Sequence, residues 1–529
     1  MSDPTKRKQE TASPIAETKK LRVHGEKESN VLMWFRTDLR LTDNRAFASA
    51  LEIARAYAKE GTSHLFALFI VSPGEWKEHG VSDIRVDFLL RNVQKLHASL
   101  KQAAIPLIIE EAQSPNEIPE IVFKVCQKYS IFGVFHNIEY EVNEARRDAS
   151  TRTLLQNNGI FVRADHDQCG IKPGEVLAQS TGKPYVVFTP FKNKWLQMVT
   201  KDPTHLKIAN CTLDLKQDEL RTLYADIFDK EPPTSVEGFT LEPSKAKMAQ
   251  TLYPAGEEEA QARLENFASL RLADYKSKRD FPAQPGTSIL SPYLAAGVIS
   301  ARQCLARAAK ENKSKYERGK EGINTWIVEI VWRDFYRHVL VAFPRVSKSL
   351  PFKLETKDIE WSDNKEHFKA WTEGKTGYPI VDAGMRQLLS TGWMHNRVRM
   401  ITAMFLTKDL LINWQWGEKH FMKHLVDGDL ASNNGGWQWS ASTGTDAQPY
   451  FRIFNPTTQS INFDPSGEYI RRWVPELASI TDSKAIHDPY SHMGTFNFLK
   501  LGYPKPIVEH SLQRKLALNI YSKVFKKQP

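Results

Sequence analysis

The sequence predicts a two-domain protein, in which an α/β domain with a doubly wound parallel sheet is joined by a long connection to an all-α domain. Three observations support this prediction. The chain has 529 residues, more than a single hydrophobic core usually holds. Short apolar runs alternate with helical stretches up to residue 165, whereas helical periodicity alone continues from residue 257. The intervening residues 166–256 are irregular and rich in proline and glycine, which indicates an inter-domain linker.

The first domain is predicted over residues 30–165. Its apolar runs predict strands at 31–35, 64–71, 105–111, 131–137 and 159–165. Helical stretches such as 44–59 and 81–102 lie between them, and this alternation predicts parallel strands. The sequence has neither the G-x-G-x-x-G turn nor the G-x-x-x-x-G-K-[ST] loop with which many parallel sheets bind nucleotides. A nicotinamide dehydrogenase and a P-loop ATPase are therefore disfavoured.

The second domain is predicted over residues 257–529. Its periodicity predicts helices at 257–278, 300–312, 322–343, 384–390, 396–411 and 417–426. Ten of the thirteen tryptophans of the chain fall in this domain. Most tryptophans are packing residues, but so many in one helical domain indicate an aromatic ligand or an electron path as well.

Residues 427–446, with the sequence DGDLASNNGGWQWSASTGTD, have the most unusual composition of the chain. Carboxylates, amides, hydroxyls and glycines surround Trp437 and Trp439, a mixture too polar for a core helix and too aromatic for a solvated linker. Glycines allow close backbone approach, amides and carboxylates bond the edge of a heterocycle, and indoles stack on its faces. The stretch predicts the wall of a ligand pocket. A buried, hydrogen-bonded loop that supports a helix bundle is the alternative.

Composition narrows the choice of partners. The net charge of +10 suits nucleic acid, although a diffuse excess of Lys and Arg is also typical of a solvated surface. The four cysteines include no Cys-x-x-Cys pair, so neither a disulfide framework nor a zinc site is predicted, and a reducing compartment is expected. His420 and His424 have the spacing of a metal-bridging pair, but the sequence offers no third ligand beside them. An exposed helix face is the favoured interpretation, and we expect no metal.

Residues 1–29 are polar and non-periodic, which predicts a disordered tail. The tail contains the basic clusters KRK (6–8) and KKLR (19–22), which have the arrangement of a bipartite nuclear import signal. Random clustering of charge is the alternative. No apolar run is long enough to span a bilayer, and the N-terminus lacks the hydrophobic segment of a secretory signal. We expect an intracellular protein of the nucleus, with no membrane partner, and leave a mitochondrial share open.

Several long motifs, in order along the chain, resemble those of one family. They are WFRTDLRLTDN (34–44), GTSILSPYL (286–294), WRDFYR (332–337), GKTGYP (374–379), GWMHNR (392–397), the stretch 427–446 and YFRIFNP (450–456). Together they resemble the photolyase and cryptochrome family, and most strongly its class I cyclobutane pyrimidine dimer photolyases of the fungal type. The resemblance begins near residue 31 and covers all but the tail. It implies light-dependent repair of UV-damaged DNA by a monomer that holds reduced FAD.

The resemblance places FAD, in a U shape, in the helical domain. The implied cofactor contacts are Tyr275, Thr287, Ser288, Ile289, Leu290, Ser291, Trp326, Arg399, Asp427, Gly428, Asp429 and Asn433. Backbone N–H groups before a helix suit the pyrophosphate, although Thr287 and Ser288 could form a plain helix cap. Arg399 and Asp427 match an ion pair beside the isoalloxazine ring.

Three positions discriminate between subfamilies. Asn433 matches the residue beside the flavin's redox-active nitrogen, where plant cryptochromes usually carry Asp and animal cryptochromes Cys. Asn396 and Met400 stand where (6-4) photolyases carry His, so the cyclobutane dimer is the predicted substrate. The implied dimer pocket consists of Glu329, Asn396, Trp332, Trp439 and Met400. In this mechanism photoexcited reduced flavin passes an electron to the flipped-out dimer, the cyclobutane ring opens, and the electron returns.

The resemblance implies three further groups of residues. An electron-transfer chain that photoreduces oxidised flavin is implied for Trp437, Trp414 and Trp361. DNA contacts around the pocket are implied for Arg279, Arg397, Arg452 and Gln459, with Glu329, Trp332 and Asn396. Contacts to a methenyltetrahydrofolate antenna are implied for Asn143, Glu144 and Lys348. Ser347 stands where a bacterial relative has Cys, so a deazaflavin antenna, or none, stays an alternative.

Two rival functions remain at this point. A signalling cryptochrome would share the fold without repairing DNA, but Asn433, Glu329, Asn396 and Met400 favour repair. A light-independent nucleotide-binding enzyme would use the first domain, but the missing phosphate loops and the aromatic second half disfavour it.

Overall fold

A computed structural model describes residues 30–58 and 63–525 of the chain. The predicted nuclear import signal lies outside these residues. The strands are β1 (Asn30–Phe35), β2 (Leu65–Val71), β3 (Leu107–Glu111), β4 (Ile131–Asn137) and β5 (Phe161–Asp165). They form one sheet in the order β3-β2-β1-β4-β5, with every neighbouring pair parallel. The predicted doubly wound sheet is confirmed, and each strand begins within about two residues of its predicted start.

Strand β1 shows why this sheet must be covered on both faces. Its six residues are all buried, and successive side chains enter different cores. Val31, Met33 and Phe35 belong to one hydrophobic cluster, whereas Leu32 and Trp34 belong to another. Since side chains alternate across a strand, a continuous apolar run needs helices on both sides of the sheet.

The helices up to the end of the connection are α1 (Arg45–Ala58), α2 (Pro73–Glu78), α3 (Asp83–Gln102), α4 (Ile118–Lys128), α5 (Val142–Asn157), α6 (Phe188–Lys201), α7 (Leu220–Leu223), α8 (Ala225–Phe228) and α9 (Pro243–Leu252). The next are α10 (Glu257–Leu270), α11 (Tyr275–Lys278), α12 (Ser291–Ala295), α13 (Ala301–Glu311), α14 (Glu321–Ala342), α15 (Lys365–Thr372) and α16 (Pro379–Thr391). The last are α17 (Asn396–Met404), α18 (Trp414–Met422), α19 (Leu430–Ala441), α20 (Pro456–Phe463), α21 (Glu468–Trp473), α22 (Pro489–His492), α23 (Thr495–Lys500) and α24 (His510–Phe525). The helical second half is thus confirmed. No helix within the described ranges has both the length and the apolarity to cross a membrane.

The predicted connection 166–256 packs against the helical domain. It contains the 14-residue helix α6, although its sequence is irregular. Trp195 of this helix is buried, and its Nε1 donates to Asp334 Oδ2 of α14 at 3.0 Å. The backbone N–H of Gly170 donates to the same oxygen at 2.8 Å. Asp334 therefore ties two points of the connection to the longest helix of the second half.

Two sequence predictions of helix extent are wrong. The stretch 427–446, expected to be too polar for a core helix, contains helix α19 with Asn434, Trp437 and Gln438 buried. Its polar groups are paired, because Gln438 Nε2 donates to Asn434 Oδ1 at 2.7 Å and Asn434 Nδ2 donates to Glu418 Oε1 at 2.8 Å. The predicted helix 396–411 changes to a π-helical turn at Phe405–Asp409, where Lys408 and Asp409 are buried. Such turns lie outside the ordinary helical period.

The α/β domain and the helical domain share a buried cluster of four charges. Arg302 Nη2 lies 2.6 Å from Asp167 Oδ1, and Arg302 Nε lies 3.1 Å from Asp43 Oδ2. Arg40 pairs with the second oxygen of Asp167. All four side chains are almost completely buried, and the two arginines hold the pKa of Asp167 well below its ordinary value. The cluster joins the loop after β1 to α13.

Candidate functional site

Three helices of the second half bring the predicted pocket residues together. Helix α14 carries Glu329 and Trp332, α17 carries Asn396 and Met400, and α19 carries Trp439. Helix α19 packs against both α14 and α17, so the five predicted pocket residues lie on three helices that are joined through α19. Helix α14 is buried over most of its circumference, and the half-buried residues Thr325, Glu329, Trp332 and Tyr336 share its remaining face.

The pocket has one polar and one aromatic wall. Asn396 is exposed, and its Nδ2 lies 3.9 Å from Met400 Sδ, one turn further along α17. Trp332 is half-buried, and Phe188 stacks on it with ring centroids 3.5 Å apart and planes 9° apart. Phe188 therefore covers one face of Trp332, and the rings of Phe335 and Tyr336 each lie 5.6 Å from the same indole. Sequence reasoning missed Phe188, because it lies in the connection, far along the chain from α14.

Glu329 is paired with an arginine at the rim of the pocket. Arg279 Nη1 donates to Glu329 Oε1, and burial raises the pKa of Glu329 while Arg279 opposes the rise. The neighbouring Asp280 accepts two hydrogen bonds from Arg397, at 2.9 Å from Nη2 and 3.2 Å from Nε. Two predicted DNA-contacting arginines are thus held by carboxylates.

The other predicted DNA contacts lie on one exposed segment. Arg452 is exposed, and Gln459 is half-buried on helix α20. Phe463 follows Gln459 by one turn, and the guanidinium carbon of Arg397 lies 4.3 Å from its ring centroid. This contact places α20 beside the arginine of α17.

The loop 286–291 has the donors that a pyrophosphate needs. Within the described residues, no carbonyl or side chain accepts from the backbone N–H groups of Thr287, Ser288 and Ile289. Ile289 has a φ of 50°, a strained value for a β-branched residue that often marks a ligand site. A Cβ on Gly286 would lie 2.4 Å from the carbonyl oxygen of Lys278, which packs the loop against α11. The residues fit a phosphate-containing cofactor.

Arg399 and Asp427 form a two-point ion pair. Arg399 Nη2 lies 3.0 Å from Oδ1 and 2.8 Å from Oδ2 of Asp427, while Arg399 Nε donates to the carbonyl of Met394 at 2.8 Å. The Asp427 side chain is only 2% exposed, so the pair holds a fixed position. Gly428 follows directly. Tyr275 and Trp326 both pack against Phe267, with ring centroids 5.9 Å and 5.3 Å from it.

Asp429 is engaged within the protein. Its Oδ1 accepts from the backbone N–H of Ser432 at 2.9 Å and caps helix α19, and its Oδ2 accepts from Arg337. Arg337 and Arg333 hold the pKa of this carboxyl well below its ordinary value. Both carboxylate oxygens of Asp429 therefore already have a partner within the protein.

Asn433 presents an acceptor. Its Nδ2 donates to the backbone carbonyl of Glu418 at 3.0 Å. No donor among the described residues reaches its Oδ1, which can therefore accept from the ring N–H of a ligand. Gly436 lies one turn further on the same face of α19. A Cβ atom at this position would have no neighbour within 4 Å. Sequence reasoning did not single out Gly436, because its face follows only from the helix.

The three predicted electron-transfer tryptophans share one hydrophobic cluster. Trp437 and Trp414 are buried in it, and half-buried Trp361 packs against its edge. The Trp437 ring lies 4.9 Å from Phe421 and 6.0 Å from Trp371, a buried tryptophan absent from the predicted chain. The electron-transfer role of the three residues stays a prediction.

A cavity of about 580 Å³ separates the sheet domain from the helical domain. It is lined from the first side by Trp34, Arg36, Glu75, His79, Glu139, Asn143, Glu144 and Arg147, and from the second by Arg333, Arg337, Ser347, Glu418 and Asp429. The lining contains both acidic and basic side chains. It therefore suits a ligand that has both hydrogen-bond donors and carboxylates.

Glu144 is a strongly perturbed carboxyl of this cavity. Burial, with repulsion from Glu141 and Glu139, raises its pKa to about 9. Its Oε2 is buried without a partner among the described residues, whereas Oε1 lies 3.3 Å from His79 Nδ1. Glu75, His79 and Glu144 also place one potential ligand atom each within 4.8 Å, so the expectation of no metal stays a prediction.

The other predicted antenna residues differ in position. Asn143 lines the cavity, and its Nδ2 lies 3.1 Å from His79 Nε2. Lys348 is exposed, and only its neighbours Ser347 and Ser349 line the cavity. Ser347 Oγ accepts from the backbone N–H of Val142 at 3.1 Å and so joins the two domains there.

The sequence favoured an exposed helix face for His420 and His424, but neither residue is exposed. His420 and His424 are half-buried, with ring centroids 4.2 Å apart. His424 Nδ1 contacts the carbonyl of His420 at 2.8 Å, and burial lowers the pKa of His420 to about 3. Packing against Trp371 and Phe368 explains the burial of His420.

Comparisons with known proteins agree with this geometry. Residues 31–208 match the DNA photolyase family model, and residues 326–523 match that of the FAD binding domain of DNA photolyase. The chain is 43% identical over 525 residues to the deoxyribodipyrimidine photo-lyase of Neurospora crassa, covering 97% of this chain and 84% of that protein. It is 42% identical over 490 residues to the Escherichia coli enzyme of that name, covering 93% and 98%.

A solved structure extends the similarity to the whole fold. The class III photolyase of Agrobacterium tumefaciens matches with a TM-score of 0.79 and 34% identity, over 96% of this chain and 99% of that one. The parallel sheet, the helical half and the phosphate loop define a flavoprotein of the photolyase and cryptochrome class. Within that class, the chain belongs to the DNA photolyase family and contains its FAD-binding domain.

Proposed function

We propose that this protein repairs cyclobutane pyrimidine dimers in UV-damaged DNA, as a light-dependent carbon–carbon lyase. The observation that carries the proposal is the packing of α19 against α14 and α17, the helices on which Glu329, Trp332, Asn396, Met400, Arg399, Asn433 and Trp439 lie. The names of the similar proteins support it. A signalling cryptochrome is the alternative.

FAD would be held by the loop 286–291 and by residues of α11, α14, α17 and α19. The free N–H groups of Thr287, Ser288 and Ile289 would bind its pyrophosphate. Arg399 and Asp427 would lie against the flavin ring, and Asn433 Oδ1 would accept from a ring N–H. When bound and reduced, FAD supplies the light-driven electron that splits the dimer.

The pocket residues bind and orient the flipped-out dimer. Glu329 and Asn396 would hydrogen-bond its polar edges, and Trp332, with Trp439 and Met400, would cover its apolar side. A damaged base stacks poorly, so its extrusion from the duplex costs less than that of a normal base. Arg279, Arg397, Arg452 and Gln459 would hold the backbone around it.

The inter-domain cavity would bind a methenyltetrahydrofolate antenna. The orphan oxygen of Glu144 supports this, because a pterin edge offers adjacent N–H donors to a carboxylate. Asn143 would add a contact, and Lys348, on the rim, would meet the ligand's own carboxylates. A deazaflavin also carries a ring N–H, so absorption spectra of the released chromophore decide between the two.

Trp437, Trp414 and Trp361 would conduct electrons from the surface to oxidised flavin, which activates the enzyme without taking part in repair. We propose that the protein is nuclear, because its N-terminal tail contains two basic clusters. The family resemblance implies that it is a monomer.

Glu329→Ala tests the function at its central side chain. The variant should retain FAD but lose about tenfold or more of its repair rate, because a charge-assisted hydrogen bond to the dimer contributes about 1.5–3 kcal/mol. Repair of a dimer-containing oligonucleotide under blue light is the measurement. Glu366→Ala, which removes an exposed carboxylate from α15, serves as the matched control. Unchanged repair by the Glu329 variant would remove this residue from the mechanism.

A further inference from the structure

Four charged side chains at the rim of the pocket form an alternating series. Arg279 pairs with Glu329, its Nε lies 3.8 Å from Asp280 Oδ1, and Asp280 in turn holds Arg397 at 2.9 Å. We call these residues the rim series. All four side chains are partly buried, with exposed fractions from 16% to 32%, so their pairing is stronger than that of a fully exposed pair. The series carries no net charge.

Arg452 provides a contrast on the same side of the molecule. It is exposed, and no acceptor for its guanidinium lies among the described residues. It can therefore meet a phosphate without giving up a partner. Arg279 already has a carboxylate partner, so a phosphate that draws its guanidinium away from Glu329 would leave a partly buried carboxylate unpaired.

This difference has a consequence for damaged and undamaged DNA. Undamaged DNA keeps its bases stacked and offers Glu329 nothing, so the release of Arg279 is a cost that weakens binding. A flipped dimer brings pyrimidine N–H donors into the pocket, and these can replace the bond that Arg279 gives up. Only then can Arg279 turn to a phosphate without loss.

Building on the proposed function, we propose that Arg279 is a specificity-determining residue, withheld from DNA phosphates by Glu329 until a dimer in the pocket takes its place. Glu329 thus acts twice. It binds the lesion, and it suppresses affinity for DNA that has none. Discrimination comes partly from a penalty on the wrong substrate and partly from contacts with the right one.

A mutant cycle tests this coupling with holoprotein, in the dark, on two oligonucleotides that differ only in one cyclobutane thymine dimer. Glu329→Gln should bind undamaged DNA about 3–10-fold more tightly than wild type, with a salt slope steeper by about 0.9, because one further arginine meets a phosphate. Arg279→Gln should weaken binding of dimer DNA and leave undamaged DNA nearly unaffected. In the double variant the gain of Glu329→Gln should vanish.

Arg452→Gln is the matched control and should weaken binding of both oligonucleotides equally. Only variants with full flavin absorbance are compared, which excludes misfolded protein. If Glu329→Gln fails to gain affinity for undamaged DNA, or if the gain survives in the double variant, the coupling is refuted. If the wild type repairs dimers but the effects of the two substitutions are additive, the coupling is refuted and the proposed function is not. A wild type that neither prefers nor repairs dimer DNA would refute the proposed function with it.

Discussion

At Asn433 the orientation of a single amide is set by the neighbouring helix. Its Nδ2 donates to the carbonyl of Glu418, fifteen residues earlier, and this bond leaves Oδ1 for the cofactor. The sequence motif predicted that the amide of Asn433 lies beside the flavin. It could not predict which atom faces the ligand, because that depends on a contact between two helices. The same holds for Glu329, whose partner Arg279 lies fifty residues away.

A pH prediction belongs to Glu144. Its pKa of about 9 lies above the ordinary value, so the folded state binds this proton more tightly than the unfolded state does. Its contribution to stability is therefore fully present below about pH 4.5 and is lost as pH rises toward 9. Glu144→Gln keeps a neutral side chain and escapes this loss.

The antenna-free Glu144→Gln protein should melt about 2–4 °C above wild type at pH 8 and equally with it at pH 5, as measured by thermal unfolding across pH. The orphan oxygen also predicts that the variant binds the antenna more weakly. A constant difference in melting temperature at all pH values would show that the carboxyl does not titrate in this range.

Helix α19 shows what a local pattern leaves out. Its polar composition suggested a segment too polar for a core helix. The segment is nevertheless helical, because distant groups satisfy its amides. Asn434 pairs with Glu418 of α18, and Asp429 caps the first turn. Apolar strands such as β1 were predictable because burial on both faces leaves a continuous signature in sequence.

Two adjacent glycines of α19 should respond differently to alanine. A Cβ at Gly435 would lie 2.3 Å from the ring of Tyr336 on α14, whereas one at Gly436 meets nothing within 4 Å. Gly435→Ala should lower stability by about 1–3 kcal/mol, since overpacking forces the helices apart. Gly436→Ala should stabilise the flavin-free protein by about 0.5–1 kcal/mol, because alanine loses less backbone entropy than glycine in a helix. It should also reduce FAD affinity about tenfold, because its methyl group would project from the Asn433 face.

Thermal unfolding and FAD titration of both glycine variants measure these effects. Equal losses of stability in the two variants would contradict the packing of α19 against α14. Full FAD affinity in Gly436→Ala would mean that the flavin does not approach this face.

At the scale of the whole molecule, the two domains are held by contacts that no motif reveals. The connection covers Trp332 with Phe188, and the charge cluster of Arg40, Asp43, Asp167 and Arg302 lies buried between the domains. Sequence periodicity predicted both domains and the linker between them. The contacts between them join residues more than a hundred positions apart, so local patterns carry no signal for them.

Arg302→Met should strongly destabilise the protein. It leaves Asp43 and one oxygen of Asp167 without their partner in a buried site, a change that costs about 3–5 kcal/mol. The midpoint of urea unfolding measures the effect. Arg472→Met, which breaks the exposed pair with Glu468 on α21, should change stability by less than about 0.5 kcal/mol. Similar midpoints for the two variants would mean that the buried cluster does not hold the domains together.

The most direct test of the central claim uses purified protein with reduced FAD and an oligonucleotide that contains one cyclobutane thymine dimer. Intact thymine is quantified after blue light and after an equal time in darkness. The proposed function predicts recovery in the light only. No recovery under light, with FAD bound and reduced, would contradict it and favour a signalling cryptochrome.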